Sequence, residues 1–149
     1  MSKSHKIAWA AGFFDGEGYV YVNRVVVKRP NEKQYIQHRL RIGINHVAPE
    51  PLVAIANILG GKVNVDIYSK QQADGCNRKI RHTWYLNDDQ AKQALIQLLP
   101  YLQNKITVAE LGIELRNTFT TAGGGSLSEE TLALRDSLKE KITHLNSLD

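Results

Sequence analysis

Two spacings of apolar residues alternate along this chain. Over residues 4–14, Ile7, Ala11 and Phe14 recur at the interval of one helix face, while Ala8 and Gly12 form a small-xxx-small pair on the neighbouring stripe. This predicts a short apolar helix whose small residues permit another element to approach closely. From Tyr19 the period falls to two. Residues 19–28 are dominated by valine and tyrosine, with Asn23 and Arg24 interrupting, and read as a strand; residues 29–33 form a Pro-containing loop. A second strand over 34–47 puts Leu40, Ile42 and Ile44 on one face and Gln37, Arg39, Arg41, Gly43 and Asn45 on the other. Pro49 and Pro51 end it, and residues 52–59 suit a helix closed by Gly60-Gly61.

The pattern then repeats. Residues 62–70 alternate, with Val63, Val65 and Ile67 inward and Asn64, Asp66 and Tyr68 outward, and residues 71–77 are a polar loop around Asp74-Gly75. Residues 78–86 give a fourth strand, with Ile80, His82, Trp84 and Leu86 on one side and Lys79, Arg81, Thr83 and Tyr85 on the other. Asp88 or Asp89 can cap a helix that runs to Leu99 before Pro100, and residues 101–115 form another helix, which carries Lys105. A Gly-rich connection over 118–126 leads to a last amphipathic helix. Ser126 and Glu129 have capping-box spacing there, and Leu134, Leu138, Ile142 and Leu145 share a stripe. That helix reads as a packing element. The order of elements predicts an α+β fold.

Composition narrows the class. With 149 residues, 42% hydrophobic and 23% charged, the chain is long enough for one globular domain with a real core, spanning 1–149 with its centre at about 4–116 and its last helix at about 127–146. A run of about 18 apolar residues is absent, as is a signal-peptide h-region, so a soluble protein with no membrane partner and no secretion signal is expected. The single cysteine, Cys76, excludes an internal disulfide and a multi-cysteine zinc site. The five histidines have no metal-ligand spacing.

Charge changes the picture more. The net charge is +4, but between Arg24 and Arg81 there are 11 Lys/Arg against 4 acids, which leaves the flanking segments at −3. A basic middle is either a solvated face or a surface for a polyanion. The arginines at alternate positions of the second strand favour the polyanion, because Arg and Asn reach guanine and adenine edges and a twisted strand pair fits the major groove.

One stretch carries candidate chemistry. Trp9-Ala10-Ala11-Gly12-Phe13-Phe14-Asp15-Gly16-Glu17-Gly18 reads as a helix that stops in an acidic, glycine-punctuated turn, with two glycines flanking Glu17. A carboxylate held there is a candidate metal ligand. It is not an EF-hand: counted from Asp15, the sixth and twelfth positions are Val20 and Val26 rather than Gly and Glu.

Residues 10–18 of that stretch resemble the signature of the LAGLIDADG homing endonucleases, and the order of elements resembles that family's α-β-β-α-β-β-α subunit, with a four-stranded antiparallel saddle sheet and added C-terminal helices. The resemblance runs to about Leu115. It implies that Gly12 and its small neighbour Ala8 pack helix against helix at an interface, and that Glu17 binds the metal with the Gly16 carbonyl beside it. Lys105 matches the family's active-site basic residue. Asp15 either caps a helix or meets its mate at the interface. The outward residues Tyr21, Asn23, Gln37, Arg39, Arg41, Asn45, Asn64, Asp66, Tyr68, Arg81, Thr83 and Tyr85 would face double-stranded DNA.

Only one copy of the motif is present, which implies a homodimer with Glu17 of each subunit near the two-fold axis, two or more Mg2+ shared across it, and a near-palindromic target. The implied activity is metal-dependent phosphodiester hydrolysis that makes double-strand breaks. The glutamine and arginine that some members place after the second strand are missing from 47–52, where Glu50, Asn45 and His46 are the nearest polar groups. The alternative function is a non-cleaving nucleic-acid-binding protein of the same fold, either a transcription regulator or a maturase acting on intron RNA. The expected location is an organelle if the chain is encoded there, or else the bacterial or phage cytoplasm.

Overall fold

The structure is a computed structural model that describes residues 1–28, 30, 34–66, 80–119 and 128–148. Four strands, β1 (Gly18–Val27), β2 (Tyr35–His46), β3 (Val63–Asp66) and β4 (Arg81–Asn87), form an antiparallel sheet in the order β1-β2-β4-β3. Helices α1 (Lys3–Glu17), α2 (Glu50–Leu59), α3 (Asp88–Leu98), α4 (Ile106–Asn117) and α5 (Glu129–Ser147) complete the fold. Val20, Val22, Leu40, Ile42, Ile44, Trp84 and Leu86 point from the sheet into one core with Ala10, Ala11 and Phe14 of α1, Leu52 and Ile55 of α2, and Leu95 and Leu98 of α3. The other face of the sheet carries the polar half of each alternation. This is the two-layer arrangement that a half-buried antiparallel sheet demands.

Period two holds along β2, where Leu40, Ile42 and Ile44 are fully buried and Arg39, Arg41 and Asn45 are exposed. At the far end of the sheet the register keeps the alternation in phase, but its apolar residues are exposed. Val65 and Ile80, expected inward, are 57% and 58% exposed. Trp84, buried beside them, donates its indole N–H to the Gly60 carbonyl at 2.8 Å, and Gly60 and Gly61 both take positive φ (94° and 85°) to end α2 there. Only glycine adopts that conformation without strain.

Several boundaries differ from the sequence reading. α1 does not stop before the acidic residues; it runs through them to Glu17, opened by a Ser2 side chain that accepts from the His5 N–H. α2 begins at Glu50, because Pro49 and Pro51 occupy its cap and first turn, where a missing N–H breaks no helical bond. Residues Leu99–Tyr101 form a 3-10 turn, and α4 starts only at Ile106, so Lys105 is its N-cap rather than an interior residue. α5 is capped by Ser128, whose hydroxyl accepts from the Thr131 N–H at 3.1 Å; Ser126 lies outside the described residues.

α5 is indeed a packing element, but polar contacts fasten it. Leu138 and Ile142 are buried, whereas Leu134 is 45% exposed. Asp136 accepts from Arg24 Nε at 2.9 Å and from His38 Nε2 at 2.8 Å, and Asn146 donates to the Val20 carbonyl at 2.8 Å. The buried Arg135 donates to the hydroxyl and the carbonyl of Thr118 and lies 3.6 Å over the Phe119 ring, which Arg116 also stacks at 4.1 Å. Burial pushes the Asp136 carboxyl up, but the bonds from His38 and Arg24 outweigh it and hold the group below its ordinary value. A carboxyl depressed in the folded state stabilises the fold above the unfolded-state value of about 4 and loses that contribution as pH falls through its lower folded-state value. Asp136→Ala should therefore flatten the acid limb of the stability profile. It should also cost about 1–3 kcal/mol at pH 7 by orphaning the buried His38 Nε2, an effect read from urea midpoints at pH 7 and pH 3.

Candidate active site and nucleic-acid face

Asp15, Gly16 and Glu17 form the last turn of α1, and a long-range bond network fixes where that turn points. The Asp15 carboxylate accepts three consecutive backbone N–H groups, from Gln103 at 2.7 Å, Asn104 at 3.1 Å and Lys105 at 3.0 Å. These amides belong to the turn that leads into α4, whose N-cap is Lys105. Of the two roles open to Asp15, these bonds fit the structural one within its own chain. In return, Lys105 Nζ donates to the Asp15 carbonyl at 2.7 Å. The motif and the basic residue, 90 positions apart in sequence, thus form one local unit. Asp15→Ala should lower stability by about 1–3 kcal/mol and loosen Lys105; an unchanged urea midpoint would remove the capping role.

Glu17 sits at the wrong end of its helix. Glu17, exposed, ends α1 with no basic residue in the last turn, although a helix C-terminus repels anions. Lys105 is the N-cap of α4, but its ammonium reaches the Asp15 carbonyl in the last turn of α1, where a helix C-terminus favours a cation. The Glu17 charge, placed against the helix dipole, is unfavourable for folding alone, which is the mark of a residue kept for another purpose. Lys105 also lines a depression of about 440 Å³ with Gly18, Tyr19, Val20, Tyr21 and Asn146, open beside the first strand.

The donor set suits a hard cation but is incomplete. Glu17 contributes carboxylate oxygens, and the Gly16 carbonyl belongs to the last helical turn, where carbonyls lack intrahelical donors. Mg2+ takes such oxygens and keeps several waters. Among the described residues no group of three or more His, Cys, Asp or Glu comes together.

The outward side of α1 carries Ala8, Trp9, Gly12, Phe13 and Gly16. A Cβ added at Gly12 or Gly16 would meet nothing within 4 Å, so the chain's own packing needs neither glycine. Gly18 is different, since a Cβ there would run into the Phe14 ring. Glycine inside a helix costs about 1 kcal/mol relative to alanine, so two unneeded glycines on one exposed stripe call for a reason outside the chain. Trp9, 41% exposed, stacks on Phe13 at 5.6 Å, and Phe13 on His46 at 5.5 Å.

Strand register gathers the expected nucleic-acid residues on one face. Tyr21 pairs with Arg41, Asn23 with Arg39, Asn45 with Thr83, Thr83 with Asn64, and Arg81 with Asp66. Gln37, opposite Val25, and Tyr85, opposite Gly43, continue the same set; Tyr68 lies outside the described residues. Three contributors escaped the sequence reading. Asn87 follows Tyr85 in the alternation, and its side chain accepts no cap bond from α3; its carboxamide oxygen instead accepts from Arg41 Nε at 2.9 Å. Asp88 takes a positive φ of 49° and accepts the Leu40 N–H at 3.1 Å, just where β2 loses its β4 partner, and also holds Arg39 at 3.3 Å. Tyr19 lies across Gly43, where a Cβ would strike its ring, and burial pushes its phenol above the usual value.

No family model matches the sequence, and no curated protein matches it. Solved structures do. The homing endonuclease I-CvuI, solved on a DNA target with Mg, is 24% identical with a TM-score of 0.72 over 96% of this chain and 83% of that one. The archaeal intron-encoded homing endonuclease I-Vdi141I, complexed with DNA, is 16% identical with a TM-score of 0.69 over 97% and 86%. The LAGLIDADG homing endonuclease I-LtrWI, bound to target DNA, is 19% identical with a TM-score of 0.66 over 89% of this chain but 42% of its own. Over nearly its whole length, this chain has the LAGLIDADG homing endonuclease fold.

Proposed function

We propose that this protein is a site-specific, divalent-metal-dependent DNA endonuclease that works as a homodimer and makes double-strand breaks at a near-palindromic site. The observation that carries the reading is the end of α1: an exposed Glu17 set against the helix dipole, on the same helix as two glycines that only an outside partner explains. A second copy brought helix to helix supplies the second carboxylate, and the polar sheet faces of the two copies then form one continuous DNA surface. The single unit's fit to less than half of the I-LtrWI chain agrees with a requirement for two such units.

Each residue has a definable task. Glu17 and the Gly16 carbonyl would hold Mg2+, with two or more ions shared across the two-fold axis. When bound, the metal lowers the pKa of water and neutralises charge on the scissile phosphate. Lys105, anchored on the Asp15 carbonyl, is a fixed cation beside the first strand that would stabilise charge developing on the phosphate. Asp15 holds that anchor. The outer sheet face binds the duplex and sets which phosphate reaches the site.

Incubation of the purified protein with a randomised duplex library and Mg2+ tests the reading. Double-strand cuts at one near-palindromic sequence are expected. Binding without cuts would instead make the chain a non-cleaving regulator, and stimulated splicing of an intron RNA a maturase.

A further inference from the structure

Arg39 and Arg41 occupy equivalent outward positions of β2, yet the structure treats them differently. Arg39 gives a terminal nitrogen to the Asp88 carboxylate, a charged partner that partly neutralises it. Arg41 lies between β1 and β4, opposite Tyr21 on one side and Asn87 on the other. Its Nε donates to the neutral Asn87 oxygen at 2.9 Å, and its guanidinium carbon sits 4.2 Å over the Tyr85 ring. Neither contact uses Nη1 or Nη2. The guanidinium plane is thus fixed by one bond and one stack while its full charge is kept. Gly43 completes the arrangement, because only a residue without Cβ leaves Tyr19 room beside Tyr85.

An arginine fork can also grip a phosphate bidentately, but Arg41 stands on the outward face of the sheet, the face that the proposed function lays against the base edges of the major groove. A fork held in plane on the exposed face matches the paired O6 and N7 acceptors of guanine in the major groove. We infer that Arg41 reads a guanine in each half of the DNA target, so that the preferred site carries G·C pairs at two positions related by the two-fold axis. The inference rests on the proposed function and deepens it; Asn87 and Tyr85 act through Arg41 as positioning residues.

The test is selection from randomised duplexes by wild type, Arg41→Lys and Asn87→Ala, followed by affinity for the selected site and single-base variants at several salt concentrations. Wild type should enrich guanine at symmetric positions. Arg41→Lys keeps the charge and should keep the salt slope, but it should lose roughly 5- to 150-fold of discrimination at that pair alone. Asn87→Ala should lose part of the same discrimination. A selected site identical for wild type and Arg41→Lys would overturn this inference and leave the endonuclease reading standing. So would an Arg41→Lys defect spread evenly over all sequences with a shallower salt slope, the sign of a phosphate contact. Absence of any DNA binding by wild type would overturn both.

Discussion

Glu17→Gln should fold, bind its DNA site with wild-type affinity and fail to cut it, with cleavage down by more than about 10³-fold, as expected when a metal's several kcal/mol of transition-state stabilisation is lost. The substitution preserves shape and removes one charge from the exposed end of α1. Because that charge opposes the helix dipole, the variant should also be more stable by about 0.3–1 kcal/mol. The pairing of higher stability with lost activity separates this prediction from simple damage to the fold. A Glu17→Gln protein that still cuts in Mg2+ would remove the residue from the site; one that is destabilised would refute the account of its electrostatics. Lys105→Met should also lose cleavage, but with lower rather than higher stability, because it removes the Nζ bond to the Asp15 carbonyl at the end of α1.

Gly12→Leu should split two quantities that usually move together. In the isolated chain an added Cβ meets nothing within 4 Å and the helix is relieved of a glycine, so the monomer should gain about 1 kcal/mol. In the dimer the same atoms are forced between two helices, and by symmetry the overpacking cost of about 1–3 kcal/mol is incurred twice. Association should weaken by roughly 30-fold or more, and cleavage should fall with it, since a monomer holds one Glu17. Sedimentation equilibrium and thermal unfolding at matched concentrations read both effects. An unchanged dimer affinity would place the interface elsewhere and leave Gly12 and Gly16 unexplained.

What the sequence could disclose follows from the range of each interaction. The two faces of β2 were legible because period two leaves no other way to bury Leu40, Ile42 and Ile44 while exposing Arg39 and Arg41. The motif stretch was legible as a candidate site through its residue types, but its conformation was not. Gly16 argues locally for a turn, and the helix continues to Glu17 while Asp15 is bound by the backbone at 103–105, about ninety residues away. At α5 the capping-box spacing pointed to Ser126 with Glu129, whereas the Ser128 hydroxyl accepts the Thr131 N–H there. The Asp136 contact with His38 spans 98 residues and has no local signature. Asn87 lay within reach, since extending the β4 alternation by one residue places it beside Tyr85 on the outer face.

The central claim is that two copies of this chain join their α1 helices into one metal-dependent nuclease. Its most direct test is a plasmid carrying a single copy of the selected site, incubated with the wild-type protein in Mg2+ and, in parallel, with the metal chelated. The account predicts full-length linear DNA in Mg2+ and intact supercoiled DNA with chelator. A protein that occupies the site at nanomolar concentration and leaves the plasmid uncut in Mg2+ would contradict it.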